Sequence, residues 1–148
     1  MTIVLALVLA LITPPVKVDP KVVPSQSSVQ MDRSKNDMIV NVEYPGGSIP
    51  MMLDTGASIC MCPINLISKY HIPVVTSFQW LEVQGVAGKT HAIQAYMISM
   101  AVGGQVQKIV PIALTEPNTF DMCLLGRSYL DHYIVTLDGS SLTLKVRD

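Results

Sequence analysis

One carboxylate in this chain stands where it could do chemistry. Asp54 opens the turn Asp54-Thr55-Gly56, directly after the apolar run Met51-Met52-Leu53. A carboxylate at the end of a buried strand is costly unless it is hydrogen-bonded or protonated, so its position favours a functional role. Two such carboxylates that share one proton can activate water on one side of a carbonyl group and protonate its oxygen. This is the chemistry of peptide-bond hydrolysis.

A second motif has the residues needed for close packing of two backbone turns. In Leu124-Leu125-Gly126-Arg127, two apolar residues precede a glycine and the predicted start of a helix. Because the glycine has no Cβ atom, another backbone segment can approach it closely. Between Asp54 and this motif, Gly85-Val86-Ala87-Gly88 separates two strand-like runs at residues 80–84 and 90–100. That arrangement predicts a hairpin with a mobile tip.

Short alternating runs separated by turn residues predict that the rest of the chain is also all-β. Further strands are predicted at residues 38–44, 48–53, 59–64, 105–114, 134–137 and 142–146, and short helical turns at 65–70 and 128–132. Strands of this length at close spacing are typical of a barrel.

Taken in chain order, the aspartate turn, the glycine-bounded hairpin and the Leu-Leu-Gly-Arg motif resemble the retropepsin family, the retroviral-type aspartic proteases. The resemblance covers residues 38–148 and looks closest to the exported or membrane-tethered bacterial branch. It implies a closed acid-protease barrel with one short C-terminal helix and one lobe per chain.

The resemblance also implies roles for individual residues. Asp54 corresponds to the catalytic aspartate, and Thr55 to the residue that braces two catalytic turns across a dimer. Gly56 corresponds to the residue that allows the substrate backbone to approach closely. The implied substrate-binding residues lie in the turn, in the flap hairpin and before the second glycine: Ala57, Ser58, Val83, Gly85, Val86, Ala87, Gly88 and Leu124.

Two features depart from the retroviral pattern. Ser58 stands where an acidic partner of the helix arginine is common, so Arg127 lacks its usual partner. Ser58 instead matches a pepsin-like hydroxyl that hydrogen-bonds the catalytic carboxylate. Ala87 replaces a third glycine at the flap tip. Beyond the motifs, Asp121 could line a substrate pocket.

The chain contains one Asp-Thr-Gly sequence, whereas the reaction needs two carboxylates. Asp138-Gly139-Ser140 lacks the central hydroxyl residue and fits a hairpin turn better. We therefore expect the second carboxylate from Asp54 of another copy, across an isologous twofold interface. The resemblance places the chain ends in that interface, and residues 142–146 alternate as an interleaved strand would.

The N-terminal part differs in composition from the rest. Residues 1–12 are almost entirely apolar and too short to span a bilayer, and they predict a secretory signal or a membrane-anchor segment. Residues 13–37 contain four prolines and many polar residues, which predicts a Pro/Ser-rich tether before a protease domain at 38–148. We expect a cell-envelope location, periplasmic or secreted, with a membrane tether through the N-terminus as one arrangement.

Charge and cysteine content limit the partners. A net charge of −1 without a run of Lys or Arg argues against nucleic acid as a partner, and we expect a polypeptide substrate, no cofactor and no metal.

Cys60, Cys62 and Cys123 are interpreted first as buried apolar thiols. A bridge from Cys60 or Cys62 to Cys123 in an oxidising compartment, and a metal set of Cys60, Cys62 and His71, are the alternatives.

The residues and the resemblance together predict an aspartic endopeptidase in which water is activated between the Asp54 carboxylates of a homodimer. The main alternative is a non-catalytic homodimeric peptide-binding module on the same fold. The intact Asp54-Thr55-Gly56 argues for the enzyme, since a binding module has no need of a costly carboxylate pair. A metal-handling protein of the cell envelope is a third, weaker hypothesis.

Overall fold

The computed structural model describes residues 23–85 and 88–148. The predicted signal or anchor at residues 1–12, residues 13–22 of the predicted tether and the flap residues Val86 and Ala87 lie outside these ranges. Within them, no helix combines the length and the apolar character needed to cross a membrane.

The described residues form ten strands and two short helices. In chain order these are β1 (Gln26–Gln30), β2 (Ile39–Tyr44), β3 (Gly47–Leu53), β4 (Cys60–Pro63), α1 (Ile64–Lys69), β5 (Val74–Gly85), β6 (Gly88–Val102), β7 (Gln105–Thr115), β8 (Cys123–Leu125), α2 (Arg127–Leu130), β9 (Tyr133–Asp138) and β10 (Ser141–Val146).

Six of these strands close into a barrel. They follow the order β2-β3-β8-β4-β7-β6, and the pairing of Glu43 with Ala101 joins β6 back to β2. In β2, Val40 and Val42 point into the core while Asn41 and Glu43 are exposed, because successive side chains of a strand point to opposite faces. The predicted all-β barrel is confirmed, with α1 as a second short helix beside the predicted C-terminal one.

A smaller sheet of three strands, in the order β1-β10-β9, packs against the barrel. Leu142 and Leu144 of β10 belong to the main core. Strand β10 pairs with β1 on one side and with β9 on the other. Its two edges are therefore occupied within the chain, which leaves none for the interleaving with a partner that was predicted for residues 142–146.

Strand β1 lies inside the segment predicted as a tether, so the folded part begins before residue 38. Buried Gln105 holds its start: the side-chain amide donates to the Pro24 carbonyl at 2.7 Å and to Ser27 Oγ at 3.0 Å. Val29 of β1 packs against the core. The strand β1 could not be predicted from its own polar sequence, because the residues that stabilise it are far away in the chain.

A disulfide joins Cys62 of β4 to Cys123 of β8, with the two Cα atoms 4.3 Å apart. The interpretation as buried thiols is therefore wrong for this pair, and the alternative bridge from Cys62 is the one formed. Cys60 remains a free, buried thiol, and its burial raises its pKa. Because Cys62 is bonded to another sulfur, the alternative metal set with His71 loses one of its ligands.

Candidate active site

The turn that carries Asp54 is fixed by backbone hydrogen bonds on both sides. Strand β3 runs parallel to β8, with Leu53 beside Leu125. At the end of this pair, the Asp54 N–H donates to the Leu125 carbonyl at 3.0 Å. The Ala57 N–H donates back to the Asp54 carbonyl at 3.2 Å, which closes the turn. The position of the carboxylate is thus set by the barrel.

Within this turn, the carboxylate itself has one hydrogen-bond donor among the described residues. The Gly56 N–H donates to Asp54 Oδ1 at 3.0 Å. Asp54 is partly exposed, and Thr55 and Gly56 are exposed. Among the described residues, the second carboxylate oxygen has no hydrogen-bond partner.

Gly126 packs directly against the backbone that follows Asp54. A Cβ atom built on it would lie 2.6 Å from the Ile59 carbonyl oxygen and 2.9 Å from that of Ala57. The next residue, Arg127, donates its backbone N–H to the Ala57 carbonyl at 2.8 Å. The predicted packing role of Gly126 has this physical reason: any larger residue would push two backbone segments apart.

Two side chains of α2, neither of them selected from the sequence, hold the helix under the turn. The Ser128 hydroxyl accepts from the Cys60 N–H at 2.9 Å and donates to the Pro111 carbonyl at 2.7 Å. The buried Tyr129 hydroxyl donates to the Gln105 carbonyl at 2.6 Å, and its desolvation raises the pKa of Tyr129. The only sequence signal for either residue was its place directly after Gly126-Arg127.

A small apolar cluster, separate from the main core, includes Ala57 of the Asp54 turn. We call it the cleft cluster; its buried members are Ala57, Met61, Ala92, Ala113 and Leu124, with Met52, Ile59, Leu81 and Val83 packed against them. It brings Ala57 and Leu124, two predicted substrate-binding residues, together with Val83 of the flap strand β5. This cluster can therefore form an apolar wall between the turn and the flap.

The flap is the hairpin of β5 and β6, which pair up to Gly85 and Gly88. Gly88 has a φ of +109°, a left-handed conformation that favours glycine. Both glycines are exposed. One ion pair crosses the hairpin, from Lys89 Nζ to Glu82 Oε1 at 3.0 Å. The predicted hairpin is thus observed, while the predicted contacts of Val86 and Ala87 lie outside the described residues.

For two single side chains, one expectation differs from the structure and the other, that Arg127 lacks an acidic partner, agrees with it. Ser58 is exposed, and in the described part of the chain its hydroxyl has no hydrogen bond to Asp54. Arg127 is also exposed, and among residues 23–85 and 88–148 the one ion pair is the flap pair. Arg127 instead borders a groove of about 320 Å³ that extends from Thr55 to Ile134.

A larger groove of about 680 Å³ lies along part of β3. Pro50 and Met52 line it, and the alternation of β3 puts both on the same face of the strand. Asp121, expected from the sequence to line a pocket, is part of its wall. Sequence reasoning missed the other polar members, which come from two separate loops: Asp32, Lys35, Asp37 and Thr119.

Comparison with known proteins agrees with this architecture. The family described as "gag-polyprotein putative aspartyl protease" matches residues 40–132. No curated protein matches the sequence. Among solved structures, a retropepsin-like aspartic protease from Rickettsia conorii is similar at a TM-score of 0.63 and 20% identity. The match covers 82% of this chain and 99% of that one.

The fold and the matched residues define the class: this chain has the barrel of a retropepsin-like aspartic protease. The chain belongs to the gag-polyprotein aspartyl protease family, and the matched range contains both the Asp54 turn and Gly126.

Proposed function

We propose that this protein is an aspartic endopeptidase that works as a homodimer, with Asp54 of each copy as the catalytic pair. The observation that carries the proposal is the Asp54 turn: a partly exposed carboxylate held by the barrel and Gly126, in a chain of the aspartyl protease family. Within the described residues, no second carboxylate hydrogen-bonds to it. A second copy would supply that group through an isologous contact.

The two carboxylates would divide the acid and base steps between them. One takes a proton from water as the water oxygen attacks the scissile carbonyl carbon, and the other gives a proton to the carbonyl oxygen. Collapse of the tetrahedral intermediate then breaks the C–N bond, and the amide nitrogen leaves with a proton. Because the pair must start with one shared proton, we expect activity to be highest on the acidic side of neutrality.

Substrate would lie between the catalytic turn and the flap. The exposed backbone of Gly56 allows close approach of an extended peptide. The cleft cluster, with Ala57, Leu124 and Val83, would accept apolar side chains. The groove along β3 would take a further side chain near Met52 and Asp121. Ser58, Gly85, Val86, Ala87 and Gly88 would complete the contacts.

The disulfide supports a location in an oxidising compartment, because such bonds are rare where thiols are kept reduced. We therefore propose an exported protein of the cell envelope, periplasmic or secreted, with residues 1–12 as the signal or membrane anchor. Alkylation of cells before lysis, followed by mass spectrometry, tests this location. The proposal predicts that Cys62 and Cys123 are protected as a pair, and free thiols at both would contradict it.

The test of function is a digest of a peptide library at acidic pH by the wild type, Asp54→Asn and Asp148→Asn. Asp148 is exposed at the chain end and controls for the same chemical change away from the turn. We expect cleavage by the wild type and Asp148→Asn, and none by Asp54→Asn. Cleavage by Asp54→Asn at the wild-type rate would contradict the proposal. Peptide binding by a dimeric wild type that cuts nothing would favour a non-catalytic binding module.

A further inference from the structure

A row of apolar side chains lies on the outer face of β5, β6 and β7. Val75 of β5 is opposite Tyr96 of β6, and Tyr96 is in turn opposite Pro111 of β7. Because the pairs on either side keep one register, Ile98 of β6 lies opposite Ile109 of β7. The exposed fractions of Val75, Ile98 and Ile109 are 57%, 44% and 62%. We call these five residues the outer strip; exposed apolar residues that form a group, unlike single ones, indicate a binding surface.

The outer strip continues the face of the sheet that carries the cleft cluster. Side chains of a strand alternate between its two faces, so the even-numbered residues 92–98 of β6 share one face. The Gln94 side-chain amide donates to the Tyr96 hydroxyl at 3.0 Å, in agreement with this. Ala92 belongs to the cleft cluster, and the strand from Ala92 to Ile98 is roughly 20 Å long. A polypeptide in the cleft can therefore continue onto the outer strip.

The backbone at Ile109 supports a binding role for this strip. Ile109 has a φ of +56°, and a β-branched residue rarely adopts this left-handed conformation. Strained residues of this kind are concentrated at binding and catalytic sites, where the surrounding structure holds them. Here Val110 and Ile112, on the other face of β7, are buried in the main core and anchor the strand.

The charges near the outer strip are basic. Between Glu82 and Glu116 the sequence contains no acidic residue. Lys89 pairs with Glu82 in the flap. Lys108, directly before Ile109, is exposed, and no carboxylate in the described part of the chain forms an ion pair with it. A partner segment with carboxylates beside its apolar side chains would complement this surface.

We infer that the outer strip is an exosite: it binds a segment of the polypeptide substrate beyond the residues held in the cleft, and that segment is apolar with acidic neighbours. This inference rests on the proposed function, because the cleft must hold a peptide. Contacts so far from the scissile bond are equally strong in the ground state and in the transition state. They therefore lower KM and leave kcat unchanged.

The first experiment compares three peptides that share one cleaved core, taken from the library digest. The first is the core alone. The second is extended at both ends by about ten residues of Leu and Glu, enough to span the distance to the strip, and the third by as many Ser and Gly residues. At about pH 5.5, where Glu is ionised, the wild type should cleave the Leu/Glu peptide with a KM roughly tenfold lower at equal kcat, as expected from burying about one large apolar side chain.

Variants of the outer strip test where the extension binds. Ile98→Ser and Ile109→Gly should each raise the KM of the Leu/Glu peptide by about threefold or more, and glycine also fits the positive φ at position 109. Leu137→Ser is the control, because Leu137 lies on β9 and its exposure of 42% matches the 44% of Ile98. It should leave that KM unchanged. Cleavage of the core peptide at the wild-type rate shows that each variant is folded.

Lys108→Glu tests the expected charge of the bound segment. The wild type should have a lower KM for the Leu/Glu extension than for a Leu/Lys extension of the same length. Lys108→Glu should abolish or reverse this preference, because it replaces an attraction by a repulsion. A preference for Leu/Glu that persists unchanged in Lys108→Glu would overturn the acidic character of the segment.

The outcomes separate this inference from the proposed function. A wild type that cleaves all three peptides with the same KM would overturn the exosite and leave the protease intact, and so would a Leu/Glu advantage that survives both Ile98→Ser and Ile109→Gly. If Ile98→Ser, but not Leu137→Ser, instead releases the protein from phosphatidylglycerol vesicles, a membrane occupies the strip and the inference is wrong. A dimeric wild type that cleaves none of the peptides would overturn the proposed function, and the exosite with it.

Discussion

The Asp54 turn and the flap hairpin differ in how they are held, although both contribute residues to the cleft cluster. Backbone hydrogen bonds fix Asp54 and Ala57, Gly126 packs against the turn at backbone distance, and a disulfide joins β8, the strand beside β3, to β4. Towards its tip, the flap has its own strand ladder and one exposed ion pair. Gly85 and Gly88 at its end are exposed.

This contrast shows which part of the candidate site is held in place before a peptide binds and which part can open. Groups that stabilise a reaction act best when they are already in place. The backbone of the turn that would present Asp54 in the proposed function is held by hydrogen bonds on both sides and by Gly126. A segment that must admit and release a peptide has to open locally, and such segments have few buried contacts. The three predictions that follow test the difference in support between the two regions.

The largest effect is expected from loss of the disulfide between β4 and β8. A bridge across 61 residues of sequence stabilises by about 4 kcal/mol in the loop-entropy account. The double variant Cys62→Ala/Cys123→Ala should therefore unfold at a clearly lower urea concentration than the wild type. Adding a reductant should lower the urea concentration at which the wild type unfolds by a similar amount. The Cys60→Ala variant, which keeps the disulfide, is the control, and reductant should lower its stability as it lowers that of the wild type. Equal stability of the oxidised wild type and the double variant would contradict the prediction.

A smaller effect is expected from adding one methyl group at Gly126. Its Cβ atom would meet the Ile59 carbonyl oxygen at 2.6 Å, and such overpacking costs about 1–3 kcal/mol. At Gly85 in the flap, the nearest atom to a Cβ would be 4.0 Å away. Urea unfolding should show Gly126→Ala destabilised, with Gly85→Ala within about 0.5 kcal/mol of the wild type. If both variants have the same stability, the turn is less tightly packed than the structure indicates.

The smallest effect is expected from the ion pair of the flap. The side chains of Lys89 and Glu82 are 67% and 54% exposed, and pairs of this kind contribute less than about 1 kcal/mol. Lys89→Met should leave the unfolding midpoint almost unchanged at physiological salt. A loss as large as that of Gly126→Ala would show that the flap is supported as firmly as the turn, and would remove the contrast between the two regions.

The sequence predicted the parts of the fold whose signals are local. Each of three predicted features depends on a few adjacent residues: the turn at Asp54, the flap hairpin with its glycines, and the hairpin at Asp138-Gly139. The structure contains each of them at the predicted position. The role of Gly126 was also local, since a glycine between Leu125 and Arg127 already implied close packing.

What could not be predicted depends on register between distant segments. Strands β4 and β8 are antiparallel with Met61 opposite Leu124, and this places Cys62, not Cys60, opposite Cys123. The sequence gives no such register. Strand β1 was hidden for a similar reason, because Gln105, which holds it, is 81 residues from Pro24. The hydrogen bond from the Cys60 N–H to the Ser128 hydroxyl likewise joins residues that are 68 positions apart in the sequence.

The most direct test of the paired-aspartate account is a subunit-mixing experiment. Wild type and Asp54→Asn are mixed in varying proportions at a fixed total concentration above the dimer dissociation constant, equilibrated, and assayed for peptide cleavage. If each site needs Asp54 from both copies, activity follows the square of the wild-type fraction, and an equal mixture retains about one quarter of it. Activity that falls in direct proportion, to about one half in the equal mixture, would show that a single chain carries a complete site and would contradict the account.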